Sequence, residues 1–176
     1  MKRVLMRGGN AMIEIKLYEE TDKEEVIKLV LQCQNDGTRP IVSVDDQPEL
    51  LCIREKYLES GGCFWVAKDN GNVIGSIGLM NCRNGIGVMK KFFLYPEYRG
   101  EPYHLGLKLY AELLLFAKKN HIKKLVLDTP KNTIRAHTFY DRAGFKKIRR
   151  EDLPVQYDYP YKECDFFLLN IINEAD

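Results

Sequence analysis

Residues 63–94 hold three apolar-rich runs separated by two tight-turn signals, and this leaves the chain few folds to choose from. "CFWVAKD" and "NVIGSIGLMNC" flank Asn70-Gly71, a dipeptide suited to a two-residue hairpin whose central positions need positive φ. "RNGI" marks a second turn before "VMKKFFL". Strands joined this closely must run antiparallel. What surrounds them alternates in type. From Met12, "IEIKLYE" has the period of a half-buried strand. Thr21 with Glu24 reads as a capping box, ahead of Val26, Ile27, Leu29 and Val30 on one helical face. "DQPELLCIREKYLES" predicts a second helix, closed by Gly61-Gly62. Further on, Leu105, Leu109, Leu113 and Phe116 share a face that Lys108, Glu112 and Lys119 avoid, which predicts an amphipathic helix. "KKLVLD" reads as a buried strand, "TIRAHTFYDRAGF" as a helix ending at Gly144, and "CDFFLLNI" as a last strand. The expected class is mixed α/β, of the α+β type, in one domain spanning 12–176.

Composition narrows the function. A chain of 176 residues buries a core as one domain, and 45% apolar with 30% charged residues suits a globular protein. A net charge of +2, with Lys118/Lys119, Lys123/Lys124, Lys146/Lys147 and Arg149/Arg150 read as solvated pairs, gives no concentrated basic face for nucleic acid. Cys33, Cys52, Cys63, Cys82 and Cys164 form no C-x-x-C pair, and no apolar run is long enough to span a bilayer. The expected compartment is the cytoplasm, with the cysteines as buried thiols and no membrane partner. Isolated histidines and scattered cysteines predict no metal site. Gly75-Ser76-Ile77-Gly78 falls short of G-x-S-x-G, and neither a Walker loop nor G-x-G-x-x-G occurs.

Residues 1–11 stand apart. Arg7-Gly8-Gly9 can be encoded by a purine-rich stretch placed like a ribosome-binding site before Met12, so translation is expected to start at Met12. The alternative is a short disordered extension. Mass spectrometry of the native N-terminus separates the two.

The stretch "YPEYRGEPYHLGLKLY" carries the chemistry. A strand feeding a helix N-terminus offers unpaired N–H groups and the positive end of a helix dipole, which suits a diphosphate. With its continuation to "FYDRAGF", the segment from Leu94 to Phe145 resembles the GNAT superfamily of CoA-dependent N-acetyltransferases. Leu94-Tyr95-Pro96-Glu97-Tyr98-Arg99-Gly100 fits the first part of that family's P-x-x-R-G-x-G-x-G pattern. Ala136, Tyr140, Gly144 and Phe145 fit its N-x-x-A-x-x-x-Y and closing G-F. The glycine pattern is stretched here by two residues, and His104 stands where its first following glycine would fall. The family's asparagine is also out of register, leaving Asn132 or Thr133 at that place.

The resemblance implies a mostly antiparallel sheet of about six or seven strands with about four helices. Its fourth and fifth strands would splay to form a CoA cleft. It implies acetyl-CoA as cosubstrate. The diphosphate would lie on Arg99, Gly100, His104, Leu105, Gly106 and Leu107, and the pantetheine along Phe92, Phe93 and Leu94. Asn132 or Thr133 would reach the pantetheine arm, and Arg142 a phosphate. His104 either adds a ring hydrogen bond or is an exposed loop histidine. The oxyanion donor is the N–H of Leu94 or Phe93.

A lysine-like amine costs ~4.6 kcal/mol to deprotonate at pH 7, so a base is required. Asp128, His137 or a water chain are the candidates. Tyr140 is the catalytic residue implied, as a hydrogen-bond donor to the departing thiolate; full proton transfer from a phenol to that thiolate is uphill by ~2 kcal/mol. The alternative for Tyr140 is a packed core aromatic. The acceptor is a small-molecule or peptide amine, with Tyr157, Tyr159 and Tyr161 either walling its cleft or packing on the sheet. A CoA-binding module without turnover is the rival reading. A homodimer is compatible with the sequence and not dictated by it.

Overall fold

The computed structural model describes residues 3–6 and 12–171. Of the 1–11 extension, 1–2 and 7–11 lie outside the described residues, while Arg3–Met6 form strand β1 and pair antiparallel with β2 (Met12–Leu17). The remaining strands are β3 (Cys63–Asp69), β4 (Asn72–Asn81), β5 (Ile86–Leu94), β6 (Lys124–Pro130), β7 (Lys146–Ile148) and β8 (Cys164–Asn170). They form one sheet in the order β1-β2-β3-β4-β5-β6-β8-β7. Every pairing is antiparallel except β5 with β6. Asn70 and Gly71 take φ of 48° and 88°, as the β3–β4 turn demands.

Helix α1 (Lys23–Gln34) packs on one face of the sheet, and α2 (Leu105–Lys119) and α3 (Ile134–Arg142) on the other. The alternation along β3 serves both cores. Phe64 and Val66 join Val26, Leu29 and Tyr57, whereas Trp65 and Ala67 join Leu105, Leu109 and Leu113.

Two local expectations are corrected. Helix α1 is entered through a 3₁₀ turn, Glu20–Asp22, whose capping box is Glu19 with Asp22, the Glu19 N–H donating to Asp22 Oδ2 at 3.1 Å, and not Thr21 with Glu24. Asp22 also accepts from the Lys68 ammonium at 2.5 Å, so one buried carboxylate serves a cap and an ion pair. The second helix is a 3₁₀ segment, Pro48–Cys52, followed by a wide π turn, Arg54–Leu58. This winding buries Leu50, Ile53 and Tyr57 completely and still brings Glu49 to Lys90 and Lys91. The thiols are all free, but Cys52 and Cys82 are partly exposed, unlike buried Cys33, Cys63 and Cys164. No helix among the described residues is long and apolar enough to cross a membrane.

Candidate active site

The cleft follows from one irregularity. Along β4–β5, Ser76 faces Phe93 but Gly78 faces Lys90, so Lys91 and Phe92 together oppose Ile77. That is a β-bulge, and Lys91 takes a positive φ of 54° within it. Ser76 Oγ donates to the Lys91 carbonyl at 2.6 Å and holds the bulge shut. Gly75 lets Leu94 lie close, since a Cβ there would meet Leu94 Cδ2 at 2.3 Å. The bent β5 then leaves β6. The two pair only through Ile86–Val88 and Lys124–Val126, and beyond Val88 the strands diverge around a cavity of about 800 Å³.

The divergence frees a strand edge. The Tyr95 N–H donates to Ile74 on β4, so by ladder alternation Leu94 turns its N–H and C=O to the opposite edge, into the cleft. The Leu94 carbonyl accepts from Arg99 Nε at 2.8 Å and Cys33 Sγ at 3.4 Å. Its N–H has no partner among the described residues. Phe93 belongs to the β4-facing register, and this distinguishes Leu94 from Phe93 as the free donor.

At one end of the cavity stands the N-terminus of α2. The stretched loop folds aside instead of filling the space. The His104 N–H closes on the Gly100 carbonyl at 2.8 Å, Tyr98 stacks on Tyr103 with centroids 5.4 Å apart, and Glu101 and Pro102 are exposed. His104 enters the helix at φ 51°, and the N–H groups of Leu105, Gly106 and Leu107 have no partner among the described residues. Gly100, His104, Gly106, Leu107, Thr133 and Arg142 all line the cavity, whereas Leu105 offers only its backbone, its side chain being buried. Asn132 does not line it: its amide donates to the Thr38 carbonyl at 2.8 Å. Thr133 bonds Thr129 and the Pro130 carbonyl. Arg135, which the motif did not single out, places Nη2 3.5 Å from where a Gly100 Cβ would lie, a second guanidinium at this mouth.

At the floor, Tyr140 and Asp128 face the same space. Tyr140 stacks on Phe145 and Phe167, with centroids 5.6 and 5.7 Å apart, and burial, with the Asp128 charge, raises its phenol well above the ordinary range. Burial also raises the Asp128 carboxyl, against the pull of Lys90, Tyr157 and Lys91. His137 lies elsewhere, 3.2 Å from the Pro130 carbonyl and packed on Phe167, and is not part of the cleft wall. Of the three tyrosines, Tyr161 lines the cavity; Tyr159 stacks on Phe166, and Tyr157 lies under Lys90.

The bulge also brings consecutive Lys90 and Lys91 to one carboxylate, Glu49, at 3.1 and 3.0 Å. Burial opposes ionisation of Glu49, but Lys91 and Lys90 together hold its carboxyl below the ordinary range. Lys91 has one anion beside it and one cation, so burial prevails and pushes its ammonium down to about 8. Among the described residues no group of three or more His, Cys, Asp or Glu could hold a metal ion.

A bulged, splayed strand beside an uncapped helix N-terminus is the arrangement expected from the motif. The family model described as "Acetyltransferase (GNAT) family" matches residues 24–145. The chain belongs to the GNAT family of acetyltransferases. This GNAT chain is 36% identical to an acetyltransferase of known structure from Streptococcus agalactiae, with a TM-score of 0.86 over 90% of this chain and 98% of that one. It is also similar to N-acetyltransferase 8B of Homo sapiens, 32% identical over 112 residues, or 60% of this chain and 48% of the relative. A "Probable N-acetyltransferase camello" of Xenopus tropicalis is 30% identical over 127 residues, 70% of this chain and 57% of the relative. The GNAT chain thus spans about half the length of these curated relatives. An N-acetyltransferase from Thermoplasma acidophilum, solved in complex with coenzyme A, shares the fold at 21% identity and a TM-score of 0.67.

Proposed function

We propose that the protein transfers an acetyl group from acetyl-CoA to an amine by direct attack within a ternary complex. One observation carries the reading: the opening between β5 and β6 joins three free amides of α2 to Tyr140 and Asp128 in a single cavity. The residues fit CoA. Amides of Leu105, Gly106 and Leu107, with Arg135 and Arg142 at the rim, would receive phosphate groups. The exposed edge at Phe92 and Leu94 would pair with pantetheine amides as an added strand does. Thr133, which lines the cavity, would reach that arm in preference to Asn132, whose amide bonds the Thr38 carbonyl. The bound thioester supplies an activated acyl carbon.

The chain's own groups then divide the work. Asp128, its carboxyl raised by burial, accepts the proton of the attacking amine. The Leu94 N–H faces the position where negative charge develops on the acyl oxygen. Tyr140 donates a hydrogen bond to the departing sulfur. Its raised phenol makes complete proton transfer still less favourable than for a free tyrosine, so stabilisation of the thiolate is its role.

Thiol release from acetyl-CoA against a panel of amines tests the assignment, with CoA-induced elevation of Tm as the binding control. Release that depends on the amine is the expected result. A raised Tm without release on any amine would instead support a CoA-binding module.

A further inference from the structure

Resting on that transferase reading, we propose that the acceptor is an amine that also carries a carboxylate, and that Arg39 receives the carboxylate. Arg39 sits in the loop between α1 and the 3₁₀ segment and lines the cavity on the side of Cys33 and Tyr161. Its side chain is only 9% exposed. Nη2 is engaged, donating to the Cys33 carbonyl at 3.1 Å and Asp36 Oδ2 at 3.0 Å. Nε is fully buried without a partner, and Nη1 has none among the described residues. A buried donor left unpaired is costly, so one on the wall of a substrate cleft marks where the substrate supplies the acceptor atoms.

The other cations there are already committed. Lys90 donates to the Asp158 carbonyl at 2.7 Å and Lys91 to Gln47 Oε1 at 2.6 Å, and both share Glu49. Arg99 holds the Leu94 carbonyl and Cys33 Sγ. Arg39 alone of these combines a position on the cleft with free N–H groups on two of its nitrogens. Its guanidinium is further fixed 5.9 Å from the Tyr161 ring centroid.

Charge decides the class of acceptor. This end holds four cations, Arg39, Lys90, Lys91 and Arg99, against three carboxylates, Asp36, Glu49 and Asp128. A substrate bringing only an ammonium would enlarge the excess of positive charge in a desolvated space. A carboxylate on the same molecule offsets the ammonium it arrives with, so binding adds no charge, and after Asp128 has taken the amine's proton the carboxylate still faces an excess of cations.

Matched acceptors test this: free α-amino acids against the corresponding α-amino amides, with thiol release from acetyl-CoA as the readout. The amide's amine loses its proton more readily, so a preference for the acid cannot come from amine acidity. The best amino acid should exceed its amide roughly 10- to 100-fold in kcat/KM, the span of a charge-assisted hydrogen bond. Arg39→Gln should bring that ratio to about one through KM for the amino acid, and Arg39→Lys should restore part of it. Amides that match their acids, or an Arg39→Gln variant that lowers both alike, would overturn the inference and leave the transferase reading standing. No release with any acid or amide while another amine of the panel releases thiol would overturn the inference alone. No release with any amine, while CoA still raises Tm, would contradict both. If Arg39→Gln does not fold, the wild-type acid-to-amide ratio decides alone.

Discussion

Replacing Asp128 by asparagine should lower kcat/KM for acetyl transfer by about 10²- to 10⁴-fold while CoA continues to raise Tm. Asparagine keeps the size of the side chain and removes only its capacity to take a proton, and general-base catalysis is worth roughly that factor. The pH profile gives the sign. The base works deprotonated, and burial holds its folded value above the unfolded one near 3.9. The wild-type acidic limb should therefore lie above the ordinary aspartate range, and the variant should lack it. Stability should move the other way. A carboxyl whose folded value is raised contributes stability below its unfolded value and loses that contribution as pH climbs through the folded one. At neutral pH the ionised group is a net cost, so the variant's Tm should not fall. A drop in Tm that parallels the drop in rate would mark Asp128 as structural.

Tyr140→Phe should lower kcat by about 10²- to 10³-fold, comparable to removing one donor from a developing anion, with KM for acetyl-CoA little changed. Phenylalanine preserves the stacking on Phe139, Phe145 and Phe167, and the lost hydroxyl bonds no other described residue. Effects on folding and on chemistry are thereby separated. The hydrogen bond forms only as sulfur gains charge, so donors with a more acidic thiol should lose less. Equal losses across thioesters of differing leaving-group acidity would remove the tyrosine from the leaving-group side.

The parts of this molecule that sequence discloses are those where local chemistry and tertiary packing agree. Asn70-Gly71 wants positive φ and the hairpin needs it; Leu105, Leu109 and Leu113 recur at helical spacing because one face meets the sheet. The bulge was not legible. Lys91 and Phe92 read as ordinary strand residues, and what bends them lies elsewhere in the chain, in the Ser76 hydroxyl, the space left by Gly75, and Glu49. Residues 48–58 likewise leave the regular helix that their composition favours, and their winding sets Glu49 against Lys90 and Lys91. Thr21 and Glu24 were a sound local cap, but Asp22 was already needed by Lys68 from β3, and the cap moved with it. Asn132 illustrates the limit of motif reading, since Thr38, distant in sequence, holds it away from the cleft. Arg39 and Arg135 had no signal at all. Each matters through where a loop or helix start sets it, and neither spacing nor neighbours distinguish them from solvated arginines.

A crystal structure of the protein with CoA would test the central claim most directly. The diphosphate is expected within hydrogen-bonding distance of the Leu105, Gly106 and Leu107 amides, and the sulfur beside the Tyr140 hydroxyl with the Leu94 N–H facing its acyl position. Density that lies outside the β5–β6 opening, or a sulfur remote from Tyr140, would contradict it.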